Sequence, residues 1–314
     1  MRTRFLKALL LILGLALIPG RVSASKPLLV SGRVVHGETG RPVGGTEIRV
    51  LGMSAGREPQ EQVARTDAAG RFAVRMDPSF RAYAVQAFYR GVAYTVGPLK
   101  PTDGQLEVTV RVYETTRDPR GLLLARRALL LEPVQEGVLE VREVVVLANR
   151  APRTYVGSEG GTVRIALPSG AREVSVQQGM VPLGLDADGA LVDSLPVTPG
   201  LREMVFFYRI PYWTSRIYLT LPVTLPVATL DVFAPEPLEA RSEALPRREG
   251  RTVQGKRILR IWGENLPTGR AVVLEVSGLA APSRILPGLV VGVLVLVGVG
   301  AAALPWIRGS SARA

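Results

Sequence analysis

Thr66-Asp67-Ala68-Ala69-Gly70-Arg71-Phe72-Ala73-Val74-Arg75-Met76 turns once and then alternates. The Asp67 side chain can bond its own backbone two residues on, and Gly70 supplies a position free to take positive φ. Residues 67–70 therefore read as a tight turn that closes a hairpin. Beyond it, Phe72, Val74 and Met76 fall at every second position, with Arg71, Ala73 and Arg75 between them. That is the period of a half-buried strand and not of a helix. Working outward, the same period predicts strands over residues 28–35, 46–51, 62–66, 71–76, 82–89, 92–96 and 105–113. Glu38-Thr39-Gly40-Arg41-Pro42 marks another turn, with Gly where φ can be positive and Pro where it is pre-set. Short strands at this spacing predict a seven-stranded Greek-key β-sandwich over residues 25–115.

Four segments of this region carry a resemblance. Ser31-Gly32-Arg33-Val34-Val35, Glu38-Thr39-Gly40-Arg41-Pro42-Val43, Thr46-Glu47-Ile48-Arg49-Val50 and Thr66-Asp67-Ala68-Ala69-Gly70-Arg71-Phe72 together resemble the carboxypeptidase regulatory-like domain, over about residues 27–114. The resemblance implies a transthyretin-like (prealbumin-like) sandwich. His36 and Thr46 stand where that family often has Asp and Ala. The family's motif is structural, so it carries over no catalytic or binding residue. The zinc peptidase domain that sometimes accompanies it has no counterpart here, because one His cannot supply a site needing two plus a carboxylate.

The period of two continues through residues 116–280, with strands expected over 127–132, 138–147, 162–167, 173–177, 190–193, 202–208, 216–221, 228–233, 256–262 and 270–276. These form either one second β-sandwich or two small ones with a break near Pro211. Residues 235–251, rich in Pro, Glu and Arg, read as a surface loop. Thr154-Tyr155-Val156 and Leu195-Pro196-Val197-Thr198-Pro199-Gly200 are similar to segments of uncharacterised exported, membrane-anchored bacterial proteins.

Both ends are apolar. Arg2, Arg4 and Lys7 precede an apolar stretch over 8–18 too short to span a bilayer, then Pro19-Gly20 and Val22-Ser23-Ala24, the order of a secretory signal peptide over residues 1–24. Residues 285–307 run without a charge, the length of one transmembrane helix. Trp306 sits where aromatic belts lie, and Arg308 and Arg313 follow in a tail over 308–314, expected in the cytoplasm. Gly288 and Gly292 form a G-x-x-x-G spacing that permits weak homodimerisation of the span. The expectation is a single-pass cell-membrane protein with its N-terminal side outside, in the periplasm or at the cell surface.

The formal net charge of +12 is inflated by these ends. Six of the 39 basic residues lie in them, which leaves 33 against 27 acidic, a net +6 over residues 25–284. Nucleic acid is not an expected partner of an exported, anchored chain. Arg247, Arg248, Arg251, Lys256, Arg257 and Arg260 form the one dense basic run, a candidate contact for anionic lipid or an acidic wall polymer. The alternative is a solvated strand edge with basic residues that block pairing.

Chemistry is thin. Cys is absent and His occurs once, which removes disulfides, Cys–His catalysis and Cys/His zinc sites. His36 has no motif-borne nucleophile or orienting group. Asp186-Ala187-Asp188-Gly189 resembles a piece of a calcium loop but lacks the later acidic ligand, and reads as a hairpin turn. No cofactor or metal is expected. Aromatics offer more: Tyr212 and Trp213 follow Pro211, and Tyr89 and Tyr94 flank a hairpin tip. Exposed, they are candidate partner contacts by stacking on sugars or anchoring a protein; packed, they are core. The sum predicts a non-catalytic, membrane-anchored extracytoplasmic binding or scaffold protein recognising a protein or glycan. The alternative is an accessory subunit of a transport or respiratory complex, and a hydrolase with a scattered carboxylate pair ranks below both.

Overall fold

The computed structural model describes residues 26–157, 161–177 and 183–282. The expected signal peptide over 1–24, the expected span over 285–307 and the tail lie outside them. No helix among the described residues is long and apolar enough to cross a membrane. The described chain is all-β in several sheets, and its one helical turn is Pro119–Gly121. It divides into two compact units, Met1–Val112 and Tyr113–Ala314.

The first unit has seven strands: β1 (Leu28–His36), β2 (Glu47–Ser54), β3 (Arg57–Arg65), β4 (Arg71–Met76), β5 (Ala82–Tyr89), β6 (Val92–Leu99) and β7 (Gln105–Val112). They form a three-stranded sheet, β4-β1-β7, and a four-stranded one, β3-β2-β5-β6. β1 runs antiparallel to β4 and parallel to β7. Leu28, Val30, Val34, Phe72 and Met76 of the first sheet are buried, as are Ile48, Val50, Tyr83 and Val85 of the second. The turn at 67–70 does not close a hairpin. It carries the chain from β3 in one sheet to β4 in the other, because β4 pairs with β1 and β3 with β2.

The motif residues explain the local geometry. The Thr66 hydroxyl accepts from the Thr46 N–H (2.9 Å) and donates to the Val43 carbonyl (2.9 Å). The Asp67 carboxylate accepts the Arg71 N–H at 2.7 Å. Gly70 holds φ +71°, open to glycine at little cost. A Cβ on Gly32 would lie 2.0 Å from the Val108 carbonyl oxygen, so β1 and β7 approach only because that side chain is absent.

Asp77, between β4 and β5, accepts from the Ser79 hydroxyl (2.7 Å), the Ser79 N–H (2.9 Å) and Arg57 (2.9 Å). Those bonds, the hydroxyl's first, lower its pKa to about 2. A depressed folded-state pKa contributes stability that is full above the unfolded value and is lost as pH falls through the folded one. Between about pH 4 and 2 the melting temperature is therefore expected to fall more steeply for the wild type than for Asp77→Asn, read by circular dichroism at each pH.

The second unit continues with β8 (Thr115–Thr116), β9 (Leu122–Gln135), β10 (Val138–Asn149), β11 (Thr154–Tyr155), β12 (Val163–Ile165), β13 (Arg172–Val176), β14 (Leu183–Leu185), β15 (Leu191–Asp193), β16 (Gly200–Pro211), β17 (Arg216–Pro222), β18 (Val227–Pro235), β19 (Glu239–Arg241), β20 (Arg247–Val253), β21 (Lys256–Leu266) and β22 (Ala271–Ser277). The main sheet is β13-β16-β10-β9-β18-β21-β20; smaller sheets are β17-β22-β19, β12-β15-β14 and β11-β8. One buried cluster runs from Leu122 to Leu279 and draws on both sides of Pro211, which ends a strand and separates no cores. Residues 235–251 are not the expected surface loop, since β19 and β20 form there. β20 is exposed along nearly its whole length, so it shows no apolar alternation, and it adds to β21 as the edge of the sheet.

Inside this core lie charges. Arg127 of β9 is 2% exposed and Glu143 of β10 is fully buried. Arg127 Nε donates to Glu143 Oε1 (2.6 Å), Nη1 to the Pro222 carbonyl (2.9 Å) and Nη2 to the Ala166 carbonyl (3.4 Å). Tyr208 Oη of β16 donates to the other Glu143 oxygen at 3.1 Å. Burial and the neighbouring Glu143 charge push the Tyr208 hydroxyl well above its ordinary pKa, so it remains a donor. Burial works against the Arg127 charge, but the Glu143 carboxylate outweighs it and the pKa is raised. Removing one partner leaves an uncompensated buried charge, which costs about 3–5 kcal/mol. Urea unfolding is expected to show that loss for Glu143→Leu. The same change in an Arg127→Met background is expected to cost about 1–3 kcal/mol less, the coupling of a contacting pair.

Candidate ligand-binding face

The sheet β17-β22-β19 buries one side and opens the other. Leu219, Leu221, Leu274, Val276 and Ala240 point into the core. The alternate positions Tyr218, Val273, Glu275 and Arg241 point out. Register places Tyr218 and Arg241 on either side of Glu275, in one row across three strands. Together with Ser242 and Arg270 they line an open depression of about 690 Å³.

Each group has a definable state. Tyr218 is 62% exposed, a free ring wall. Glu275 is held by Arg216 at 3.1 Å, which fixes a carboxylate at the floor. Among the described residues Arg241 and Arg270 have no acidic partner, so their guanidinium donors face solvent. Ser242 Oγ is buried and has no hydrogen-bond partner among the described residues. The arrangement offers a flat aromatic surface with donors and one fixed acceptor around it, the features that hold a sugar ring. Among the described residues no group of three His, Asp or Glu side chains is placed to hold a metal ion.

The residues expected from sequence fall differently. Tyr212 is 1% exposed and belongs to the core, so it is not an exposed partner contact. The cause is strand register: Met204, Phe206, Tyr208 and Ile210 all point inward, and that alternation continues past Pro211 to Tyr212. Trp213, one residue on, is 67% exposed. Tyr94 is likewise buried, beside the inward Val92 on β6, and Tyr89 is half-buried with Arg90 over its ring at 5.5 Å. Within each unit one of the two aromatics is buried, so neither pair forms an exposed site.

The dense basic run is not free charge. Arg247 pairs with Glu264, Arg248 with Glu239, Arg251 with Glu249, Arg257 with Glu236 and Arg260 with the buried Asp231. Arg126 holds the other Asp231 oxygen at 2.8 Å. Only Lys256 of the run lacks an acidic partner among the described residues. The hollow of about 310 Å³ that Arg126, Arg251 and Arg260 line is therefore already matched by carboxylates. Asp186 and Asp188, the calcium-loop look-alike, both pair with Arg164, at 2.6 and 2.8 Å, across the β14–β15 hairpin. His36 ends β1 with Nδ1 buried and without a partner among the described residues. The depression at Tyr218 was readable in part: the alternation of Tyr218 with Leu219 and Leu221 places it outward. Arg241 and Arg270 join it only through pairing across the sheet.

No family model matches the chain, and no curated protein matches it. Among solved structures, an M1 zinc metallopeptidase from Deinococcus radiodurans matches with 17% identity and a TM-score of 0.34, covering 50% of this chain and 42% of that one. A 9R-lipoxygenase from Cyanothece PCC8801 matches with 16% identity and a TM-score of 0.22, covering 28% and 16%. A putative protease from Parabacteroides distasonis matches with 12% identity and a TM-score of 0.31, covering 50% and 40%. The chain spans less than half the length of each, and likeness this slight bears on neither fold nor activity.

Tyr212 and Trp213 separate packing from exposure within one dipeptide. Tyr212→Ala is expected to lose about 3–5 kcal/mol of stability in denaturant unfolding, as for a buried aromatic. Trp213→Ala is expected to stay within about 0.5 kcal/mol of the wild type.

Proposed function

We propose that the chain is a membrane-anchored extracytoplasmic binding protein of the bacterial cell envelope, without catalytic chemistry, whose second unit receives a glycan on the β17-β22-β19 face. The observation that carries this reading is the exposed Tyr218 ring beside two guanidinium groups without acidic partners and a fixed carboxylate. A sugar presents an apolar face that stacks on such a ring and a rim of hydroxyls that need donors and acceptors. The two apolar termini of the sequence support export and anchoring. The motif resemblance supports reading the first unit as a carboxypeptidase regulatory-like, Greek-key module in a supporting role.

The test is a glycan array probed with the full chain, followed by titration of the strongest hit. Tyr218→Ala is expected to weaken binding by about 2 kcal/mol or more, roughly thirtyfold, as for an aromatic anchor. Its melting temperature is expected to stay put, because the side chain lies outside the core. Arg241→Gln is expected to weaken binding with a lesser effect. A hit that both variants retain at full affinity would remove this face from the function.

A further inference from the structure

Four arginines on the outer face of the first unit's three-stranded sheet stand apart from the rest. β1, β4 and β7 point Leu29, Ser31 and Arg33, then Arg71, Ala73 and Arg75, then Gln105, Glu107, Thr109 and Arg111 away from the core. Arg33, Arg71, Arg75 and Arg111 are all exposed, and none has an acidic partner among the described residues. Glu107, beside Ser31, is the one acid at these positions.

Their placement has a cost that the fold does not offset. Arg33 lies directly opposite Arg71 in the antiparallel pair, with Cβ atoms about 4.5–5.5 Å apart, where like charges destabilise a sheet. Asp67, at the adjacent turn, gives a carboxylate oxygen to the Arg71 backbone N–H and makes no ion pair with its side chain. Arg111 stands beside Val35, two residues further along β1 than Arg33. Arg75 stands beside Leu29 at the other end. Leu29 to Val35 is six residues, so the four charges spread over about 20 Å of one sheet face. Ser31, Ala73 and Thr109 between them are short, which leaves the guanidinium groups outermost.

We infer that this face docks on the surface of an anionic phospholipid bilayer, with Arg33 and Arg71 sharing one phosphate and Arg75 and Arg111 each taking another. Charge complementarity carries the assignment: a guanidinium pair set side by side forms a phosphate clamp once an anion lies between. Placement on one sheet face favours the bilayer, because mobile headgroups gather around fixed charges whatever their spacing. The inference rests on the proposed anchoring, which brings a bilayer within reach.

The chain has no Cys, so Gln105→Cys on the same face accepts a single polarity-sensitive dye. The labelled full chain is reconstituted into phosphatidylcholine vesicles, with or without about one third phosphatidylglycerol, and headgroup-quencher lipid is added. Flotation with the neutral vesicles after an alkaline wash reads the anchor separately from the face. If the anchor fails, flotation with anionic vesicles alone reads the face instead.

Quenching is expected in the anionic vesicles, weak in the neutral ones and reversed by high salt. Arg33→Gln with Arg71→Gln is expected to reduce the docked-to-free ratio about thirtyfold, at about fivefold for each charge. The same double change is expected to leave the melting temperature equal or higher, since it relieves repulsion. Arg247→Gln with Arg248→Gln is expected to leave quenching unchanged. Quenching that ignores lipid charge, or survives the Arg33/Arg71 change, would overturn the assignment. So would a dye response to soluble poly(glycerol phosphate) without one to vesicles, which would make the partner a polymer.

Discussion

The second unit depends on one buried ion pair. Arg127 leaves the middle strand of a seven-stranded sheet and reaches carbonyls at Pro222 and Ala166, which belong to other elements of the sandwich. Glu143 and Tyr208 on the next two strands complete its surroundings. Such a pair is weak support for stability, since an apolar pair of equal volume often does as well. Its force is on register. A slip of one residue between β9 and β10 would turn Arg127 to the outer face and leave Glu143 alone in the core, an uncompensated charge. The register shift between Val146 and Leu147 makes the same point. With Ala125 as the extra residue, Leu124 on one side of the bulge and Arg127 on the other both still face inward.

Much of the fold was legible because alternation is a strong signal wherever one face is buried. β4 and β5 have the bounds that period alone predicts, and β1 differs by one residue. What period cannot read is a strand with no buried face. β20 is solvated on both sides, so its sequence resembles a loop although its backbone pairs with β21 along its whole length. Turn chemistry has a similar limit. Asp67 and Gly70 specify that the chain reverses, although the Asp67 carboxylate takes the Arg71 N–H four residues on and not the one two residues on, and nothing local says which strand β4 then joins. Pairing with β1 is a choice made by the two apolar faces.

The candidate site was half visible for the same reason. Tyr218 could be placed outward from its leucine neighbours. Tyr212 stays open between exposed contact and core on sequence because Pro211 looks like the start of a loop; the inward series from Met204 runs on through it into the core. Arg241 and Arg270 lie far apart from Tyr218 in sequence and meet it only because β17 and β19 both pair with β22. No linear pattern contains that meeting.

Charge gives the sharper lesson. The densest basic run in the sequence carries little free charge, because a sheet surrounds each side chain with neighbours two residues away and one strand across. Glu249 is both: it sits two residues from Arg251, with which it pairs, and directly opposite Arg260. The arginines of β1, β4 and β7 are sparse along the chain, yet parallel and antiparallel pairing sets them on one face with a single acid among them. In a helix, linear density and surface density agree, since neighbours are three and four residues apart. In a sheet they separate. Availability of charge on a β protein is decided by which strands become neighbours, and here that choice neutralises the cluster the sequence advertises and assembles one it does not.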